Sequence, residues 1–245
     1  MLYALGVQDS IVGVDTTSTW PEAVRAKPQI GYLRSLAAEG ILSLSPTLLI
    51  TTDEAGPPNV LKLVEAAGVP LCEIPAARSA ADVAYAIRTL ATLFGRQAQG
   101  QMLIDNMNQA LQAAAEEVAG YPQHPRVLFL LAANSQLLAG GHGTAADAMI
   151  RLAGGTNVAD YEGYKPLTPE AAAQLAPEVI LTVDYVIDDL GGEQQLLAQP
   201  ALSLTPAARG KRLVVMEAER LLGFGPRLGQ TVAELALRLH AGRQP

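Results

Sequence analysis

Tyr32 and Arg34 are the two residues of this chain whose types and spacing point most clearly to ligand chemistry. In extended or turn backbone, residues two apart point to the same side, so the guanidinium can reach the phenol oxygen or an anionic group beside it. A free phenol titrates near ~10, but a neighbouring cation and a hard trivalent metal both favour the phenolate. The pair could therefore present an oxygen anion to a ferric centre, as tyrosine does in some iron proteins. A tyrosine with an arginine beside it by chance is the alternative that these two residues leave open.

The segment around this pair recurs about half a chain later. Residues 30–53 and residues 163–184 match in pattern, and each copy predicts a Gly-Tyr turn, a short helix ended by proline, and a buried strand. A chain that makes the same unit twice, with a long helix between the copies, predicts two similar lobes that face each other. Tyr32 and Tyr164 would then lie near the cleft between the lobes, where small ligands bind preferentially.

The elements that must position these residues follow an alternating pattern. Short β-rich runs alternate with helical patterns, which predicts an α/β fold with mostly parallel sheets. The strand candidates are residues 11–14, 48–51, 69–74, 126–131, 179–183 and 212–216. The first long helix is predicted to begin at Ser79, which forms a capping pattern with Asp82, and to end at Gly95.

Residues 96–119 predict a second, longer helix. Its apolar side chains recur at helical spacing, at Leu103, Met107, Leu111, Ala114 and Val118. At ~1.5 Å per residue, about 24 residues span about 36 Å, which is long enough to bridge two lobes. We therefore assign residues 1–95 to an N-terminal lobe, 96–120 to a bridging helix and 121–245 to a C-terminal lobe. Because bending a helix breaks its backbone hydrogen bonds, ligand binding should change the lobe separation only slightly.

The second half contains further helix signals. Thr144 with Asp147, and Thr168 with Pro169, are typical of helix N-termini. A last helix is predicted after Arg227, and its buried stripe comprises Val232, Leu235, Ala236 and Leu239.

Composition and charge exclude several functional classes. The chain has 245 residues, 49% of them apolar, which is enough to bury one large core or two modest ones and excludes disorder. A net charge of -7 without any run of Lys or Arg argues against nucleic acid as a partner. No segment has the length of a membrane span, and we expect no secretory signal at the N-terminus. The single cysteine, Cys72, excludes an internal disulfide and predicts a buried, inert thiol.

The histidines and glycines give weaker signals. Residues 140–143 read Gly-Gly-His-Gly before the helix at Thr144, but they lack the Lys-Ser/Thr pair and the spacing of nucleotide-binding loops. A glycine-rich entry whose backbone lines the cleft is the favoured interpretation, and His142 could then contact ligand. His124 and His240 are expected to be solvent-exposed, and none of the three histidines has a partner at metal-ligand spacing.

Several segments together resemble the periplasmic haem-binding proteins of bacterial ABC haem importers. They are residues 11–18, 30–46, 143–155, 163–167 and 224–227, and the similarity extends over nearly the whole chain. The general fold is similar to that of the wider group that also binds cobalamin and siderophores. The resemblance implies two α/β lobes joined by a rigid backbone helix, with haem held edge-in in the cleft and a tyrosine as its axial iron ligand.

Carried over residue by residue, the resemblance assigns the haem contacts. It makes Tyr32 the axial iron ligand, Arg34 its hydrogen-bonding or propionate-pairing neighbour, and Arg227 a cleft cation from the opposite lobe. Tyr164 and His142 are expected to contact the haem as well.

The same resemblance predicts how the protein docks. In the wider group each lobe offers an exposed glutamate to an arginine pocket on the permease. Glu54 and Glu193 lie at the closest positions in this sequence, and we expect both to lie away from the ligand contacts.

Two departures from the family pattern carry expectations of their own. The family usually has a signal, a first strand and a Gly-rich turn before the segment that matches residues 3–6, whereas this chain begins almost at that segment. Either the gene start is misplaced or the N-terminal lobe lacks that strand. Some relatives have a histidine shortly after the strand that matches residues 126–131 and use it for a second haem. This chain has Asn134 there, so binding of a stacked haem pair is not expected.

These observations predict a monomeric periplasmic protein that is not an enzyme. It would capture ferric haem and deliver it to the ABC permease of the inner membrane for iron uptake. A siderophore or cobalamin carrier of the same architecture is one alternative, and an α/β enzyme that uses the interlobe cleft is another. An iron siderophore brings its own oxygen ligands and leaves no position for a tyrosine, whereas no pairing of a base with a nucleophile supports the enzyme.

Overall fold

The computed structural model describes residues 1–133 and 136–242. The chain divides into two compact units. Unit 1 comprises Met1–Ala77 and Ala81–Ile104, and unit 2 comprises Arg78–Ala80 and Asp105–Pro245.

The strands of the described residues are mostly short. They are β1 Gly31–Tyr32, β2 Ser35–Leu36, β3 Leu49–Thr52, β4 Leu71–Ile74, β5 Arg126–Ala133, β6 Gln136–Gly140, β7 Thr156–Asn157, β8 Tyr164–Pro166, β9 Val179–Val183 and β10 Leu213–Met216.

The helices alternate with these strands along the chain. They are α1 Ala38–Leu42, α2 Pro58–Ala66, α3 Ala80–Leu93, α4 Gln97–Ala119, α5 Ala145–Leu152, α6 Pro169–Leu175, α7 Asp184–Leu190, α8 Glu193–Leu197, α9 Pro206–Arg209, α10 Ala218–Leu222 and α11 Leu228–His240. Two 3₁₀ helices, Gln8–Ser10 and Glu22–Ala26, precede β1. The predicted α/β fold is therefore confirmed.

Unit 1 has a small parallel sheet and an apolar core beside it. β3 and β4 pair in parallel, with Leu49 opposite Leu71 and Thr52 opposite Ile74. The core residues come from β2, α1, α2 and the turn before β4, and they are Leu36, Ile41, Leu61, Val64 and Val69. The carboxyl ends of β3 and β4 lie at the same edge of this sheet because the strands are parallel.

Unit 2 contains a six-stranded mixed sheet with the order β10-β9-β5-β6-β8, and β7 pairs with the first residues of β5. β5 runs parallel to β9 and antiparallel to β6. Every residue of β9 is buried. Because both faces of the central strands are covered, β5 and β9 read as continuous apolar runs rather than alternating patterns.

The internal repeat is confirmed in the local structure of each copy. Gly31 and Gly163 have positive φ, at 102° and 71°, and each precedes a tyrosine that belongs to a short strand. Ser45 and Ala176, which precede the two prolines, have φ of 47° and 43°. The strands differ, since β9 is wholly buried whereas β3 has only Thr51 buried.

The helix predictions are confirmed within a residue or two. α3 and α4 follow each other as expected, and the α4 side chains of Ile104, Met107 and Ala114 are buried. Thr144 Oγ1 accepts a hydrogen bond from the Asp147 amide at 3.1 Å, which is the predicted cap of α5. The stripe predicted for α11 is buried.

Four expectations were wrong or incomplete. Cys72 lies in β4 but is only partly buried, not buried as expected. Residues 11–14 form no strand in the described chain, and only Val14 makes an isolated bridge, to Gln29. His240 is not solvent-exposed: it is 1% exposed and stacks on Tyr121 with ring centroids 4.2 Å apart. It lies eight residues after Val232 and therefore on the same face of α11 as the apolar stripe. The short antiparallel strands β6 and β8 were not predicted.

Within residues 1–133 and 136–242, no helix combines the length and the apolar character that crossing a membrane requires.

Gly100 permits close packing of α4 on α3. A Cβ at Gly100 would lie 2.5 Å from the Cβ of Ala91, a buried residue of α3. Gly100→Ala should therefore lower the free energy of unfolding by about 1–3 kcal/mol, as overpacking does, although alanine favours helix by up to about 1 kcal/mol. Urea denaturation measures this loss.

The double variant Gly100→Ala/Ala91→Gly is the matched control, because it exchanges the two side chains across the contact. It should recover most of the loss, whereas a Gly100→Ala protein as stable as wild type would contradict this packing.

Candidate functional site

Tyr32 lies in a tight hairpin of unit 1. β1 and β2 pair antiparallel, with Gly31 opposite Leu36 and Tyr32 opposite Ser35, so that only two residues connect the strands. The amide of Gly56 donates to Leu33 O at 3.0 Å, and the Leu36 amide donates to Gly56 O at 2.9 Å. These two bonds fasten the hairpin to the loop that follows β3.

Tyr32 is an exposed residue whose phenol oxygen is hydrogen-bonded. Its side chain is among the exposed large ones, with 44% of the residue accessible. Arg34 Nη1 donates to Tyr32 Oη at 3.1 Å, so the predicted contact within the pair is present. A phenol oxygen that accepts one hydrogen bond from a guanidinium keeps lone pairs with which it can bind a metal or another electrophile.

Arg34 is held at its second nitrogen by Glu54, which follows β3. Arg34 Nη2 donates to Glu54 Oε2 at 2.5 Å. The hydrogen bond to Tyr32 is the main cause of a raised pKa of Arg34, and the Glu54 carboxylate acts in the same direction. Tyr32, Arg34 and Glu54 therefore form one connected group within unit 1. Because Glu54 contacts Arg34, it does not lie away from the predicted ligand contacts.

Tyr164 and His142 occupy neighbouring backbone segments of unit 2. Tyr164 is the first residue of β8, pairs with Gly140, and is 40% exposed. The Gly141 amide donates to Gly163 O at 2.8 Å, and the Gly163 amide donates to His142 O at 3.0 Å. The glycine-rich segment thus pairs with the Gly-Tyr turn, antiparallel at Gly140 and through an isolated parallel bridge from His142 to Glu162.

His142 lies between two carboxylates. Its Nε2 is 2.9 Å from Asp160 Oδ1, and its Nδ1 is 3.6 Å from Asp147 Oδ1. The hydrogen bond with Asp160, and then the charge of Asp147, raise the pKa of His142 above its ordinary value of 6.5. An imidazole that carries protons on both nitrogens has no lone pair for a metal, so this arrangement favours a cation that could bind an anionic group.

Asp147 is the buried anchor of this cluster. It is wholly buried, and Arg151 Nη2 lies 2.6 Å from its Oδ2. Asn157 Nδ2 donates to its Oδ1 at 3.1 Å. A buried carboxylate requires such partners, because an uncompensated charge in the interior is costly.

Arg227 immediately precedes α11 and lies apart from the His142 segment in sequence. Burial is the main influence on its guanidinium and lowers the pKa of Arg227, whereas Glu217 and Glu219 act in the opposite direction. Arg227 remains a cation at neutral pH, because even a lowered guanidinium pKa stays far above 7.

The remaining predicted positions lie elsewhere. Glu193 is exposed and is the first residue of α8, after the Gly191-Gly192 turn. Asn134, on which the expectation about a second haem depends, lies outside the described residues.

Several contacts of these groups have no signal in the sequence. Two of these contacts form between loops that approach each other in space. One joins Arg34 to Glu54, and the other joins His142 to Asp160. Arg78 and Arg151 line a cavity of about 310 Å³ in unit 2, and Arg78 Nη1 donates to Gly143 O at 3.3 Å. The local spacing of residues does not encode these approaches.

The described residues contain no cluster of three or more His, Cys, Asp or Glu side chains that could hold a metal ion by themselves.

Two α/β units that share one uninterrupted helix define a class of binding proteins in which a long helix stands in place of flexible crossover strands. A sequence model described as "Periplasmic binding protein" matches residues 1–219. The chain belongs to this family.

Solved structures of similar chains are haem-binding proteins. The periplasmic heme-binding protein RhuT from Roseiflexus sp. RS-1, in its apo form, matches with a TM-score of 0.95 and 38% identity over 99% of this chain and 94% of that chain. The periplasmic heme-binding protein BhuT, in complex with two hemes, matches with a TM-score of 0.89 and 42% identity over 94% of this chain and 88% of that one.

Curated relatives are more distant. An uncharacterized ABC transporter substrate-binding lipoprotein, YvrC of Bacillus subtilis, is 24% identical over 96% of this chain and 74% of its own length. A vitamin B12-binding protein of Vibrio cholerae is 24% identical over 76% of this chain and 67% of its own length.

The contacts of His142 predict a pH dependence. Asp160→Asn should lower the pKa of His142 toward 6.5, because the strongest contact that favours the imidazolium is weakened. In wild type, protonated His142 stabilises the folded protein. This stabilisation is present below about pH 6.5 and is lost as the pH rises through the higher pKa that His142 has in the folded state.

Histidine side-chain NMR measures this titration, and His142→Gln assigns the signal. The signal of His124, whose Nδ1 lies near Gly154 O rather than a carboxylate, should be the same in wild type and in Asp160→Asn. An unchanged His142 midpoint in Asp160→Asn would count against the proposed contact.

Proposed function

We propose that this chain binds ferric haem through Tyr32 in the periplasm and delivers it to the permease of an ABC transporter. The observation that carries the proposal is the phenol oxygen of the exposed residue Tyr32, which accepts a hydrogen bond from Arg34. The similarity to haem-binding proteins at 38% and 42% identity supports haem as the ligand class.

The chemistry of the pair suits a ferric ligand. A phenolate is a hard anionic donor, and a trivalent iron in a porphyrin accepts such a donor at an axial position. The Arg34 hydrogen bond does not block the oxygen, because the oxygen keeps a further lone pair for the iron.

The repeat itself favours Tyr32 over Tyr164 as the iron ligand. In the first copy the residue two positions after the tyrosine is Arg34, whereas in the second copy it is Pro166. The cation next to Tyr164, Lys165, lies over the Tyr161 ring at 4.6 Å from its centroid.

Further haem contacts are assigned by chemistry. Tyr164 offers an exposed aromatic face, and His142 and Arg227 offer cations suited to carboxylate groups of the ligand. We include these contacts in the proposal. We also propose that this chain is a carrier rather than a catalyst.

A corrinoid is the second candidate, because a vitamin B12-binding protein is among the relatives. Its cobalt already carries ligands within the corrin, so a corrinoid needs no protein phenolate. A titration with cyanocobalamin beside hemin therefore separates the two functions.

Tyr32→Phe should remove the charge-transfer absorbance of a ferric haem phenolate and weaken hemin binding more than about 100-fold, or about 2.7 kcal/mol. The reason is that the substitution deletes only the oxygen that would bind iron. Absorbance titration of the purified protein with hemin measures both effects and the number of haems bound.

Tyr164→Phe is the matched control, since it deletes the corresponding oxygen of the second repeat. It should change hemin affinity by no more than about tenfold, the size of an ordinary hydrogen-bond effect. Equal losses in the two variants would overturn the assignment of Tyr32.

The docking proposal concerns Glu193 first. Glu193→Lys should reduce haem transfer to permease-containing vesicles and leave the hemin titration unchanged, because an exposed charge steers a partner without touching ligand. Asp189→Lys, a charge-matched change near the end of α7, is the control and should retain transfer. For Glu54→Lys we expect changes in both assays, since Glu54 also contacts Arg34.

If Glu193→Lys transfers haem at the wild-type rate, this residue is not a docking glutamate.

A further inference from the structure

We propose that Glu54 is a positioning residue for the haem ligand: it fixes the Arg34 guanidinium so that this group keeps its hydrogen bond to the Tyr32 oxygen. The inference deepens the proposed function and rests on it. It assigns to Glu54 a role that acts through Arg34 rather than through contact with the ligand itself.

The geometry of the guanidinium carries the argument. Nη1 of Arg34 binds Tyr32 Oη at 3.1 Å, while Nη2 binds Glu54 Oε2 at 2.5 Å. The two nitrogens belong to one rigid plane, so fixing one of them fixes the direction of the other. Without the carboxylate, the 57% exposed Arg34 side chain would be free to choose among several rotamers.

Backbone contacts determine where Glu54 lies. The Gly56 amide and carbonyl bond to the hairpin at Leu33 and Leu36. Asp53 Oδ1 accepts from the Ala76 amide at 2.9 Å, which ties the start of the same loop to the segment after β4. The carboxylate therefore approaches Arg34 from a loop that is held at both ends, which is the property that a positioning residue needs.

The two ends of the chain of contacts also have different exposures. The Glu54 side chain is 35% exposed, and the Tyr32 residue is 44% exposed. Surface ion pairs contribute little to stability, so a change at Glu54 should leave the fold intact and act on the orientation of Arg34.

Three variants and one double variant test the proposal. Glu54→Ala removes the contact, Glu54→Gln keeps an acceptor oxygen at the same length without the charge, and Arg34→Ala removes the group through which Glu54 would act. Glu65→Ala, which removes an exposed acid from α2 in the same unit, is the control. The readouts are the intensity of the tyrosinate charge-transfer band and the rate at which hemin passes to excess apomyoglobin.

Glu54→Ala should accelerate hemin loss about fivefold, the size of one net hydrogen bond, and should weaken the band. Glu54→Gln should restore most of both. In the Arg34→Ala background, adding Glu54→Ala should change the rate less than about twofold, because the two residues act as one unit.

Three results would overturn the inference. In the first, Glu54→Ala has its full effect in the Arg34→Ala background. In the second, the Glu54→Gln protein is as impaired as Glu54→Ala. In the third, the Glu54 variants alter only haem transfer to the permease. The first would mean that Glu54 does not act through Arg34. The second would mean that its charge matters rather than its hydrogen bond, and the third that it is solely a docking residue.

A haem-free measurement separates this inference from the proposed function. Guanidinium ¹⁵N NMR should detect slowed rotation of Arg34 in wild type and in Glu54→Gln, and free rotation in Glu54→Ala. If no variant binds hemin but this pattern holds, the proposed function fails and the positioning contact stands. If wild type binds hemin and its Arg34 rotates freely, the positioning role fails alone.

Discussion

The proposed site depends on the two hydrogen bonds of the Arg34 guanidinium, one to Tyr32 and one to Glu54. The guanidinium joins a phenol on a two-residue hairpin to a carboxylate on the loop after β3, residues that are 20 apart in sequence. The backbone of Gly56 makes this possible, since its amide and carbonyl hold the hairpin and the loop side by side. A flexible surface tyrosine would lose entropy on binding a metal, whereas one in a fixed hydrogen-bonded setting has already lost most of it.

The repeat uses the same local structure for two different purposes. Both copies have a positive-φ glycine before the tyrosine and a left-handed residue before the proline. The two copies differ at the residue two positions after the tyrosine. Tyr32 is followed two positions later by a cation, while the Tyr164 copy has a proline there and gathers its charges around His142 and Asp147 instead. One backbone pattern therefore accompanies a phenol beside a guanidinium in unit 1 and an imidazole between two carboxylates in unit 2.

Much of the fold could be predicted because helix periodicity and capping are local. The limits of α3 and α4, and the Thr144 cap, required only residues within a few positions of each other. His240 lies in phase with the apolar stripe of α11, so its position indicates burial. Its polar side chain alone indicates exposure, which is why the prediction was wrong. The Glu54 contact could not be predicted, since it depends on how β3 and the hairpin are arranged in space. Strand β8 could not be predicted because it lies at the edge of the mixed sheet and its three residues are exposed, so no apolar run marks it.

The most direct test of the account is the position of the iron in crystals of the hemin-loaded protein, determined from anomalous scattering at the iron edge. The account predicts iron at bonding distance from Tyr32 Oη, with Arg34 still donating to that oxygen and Glu54 still bound to Arg34. Iron bonded to His142 or Tyr164, or haem held without any bond from Tyr32, would contradict it.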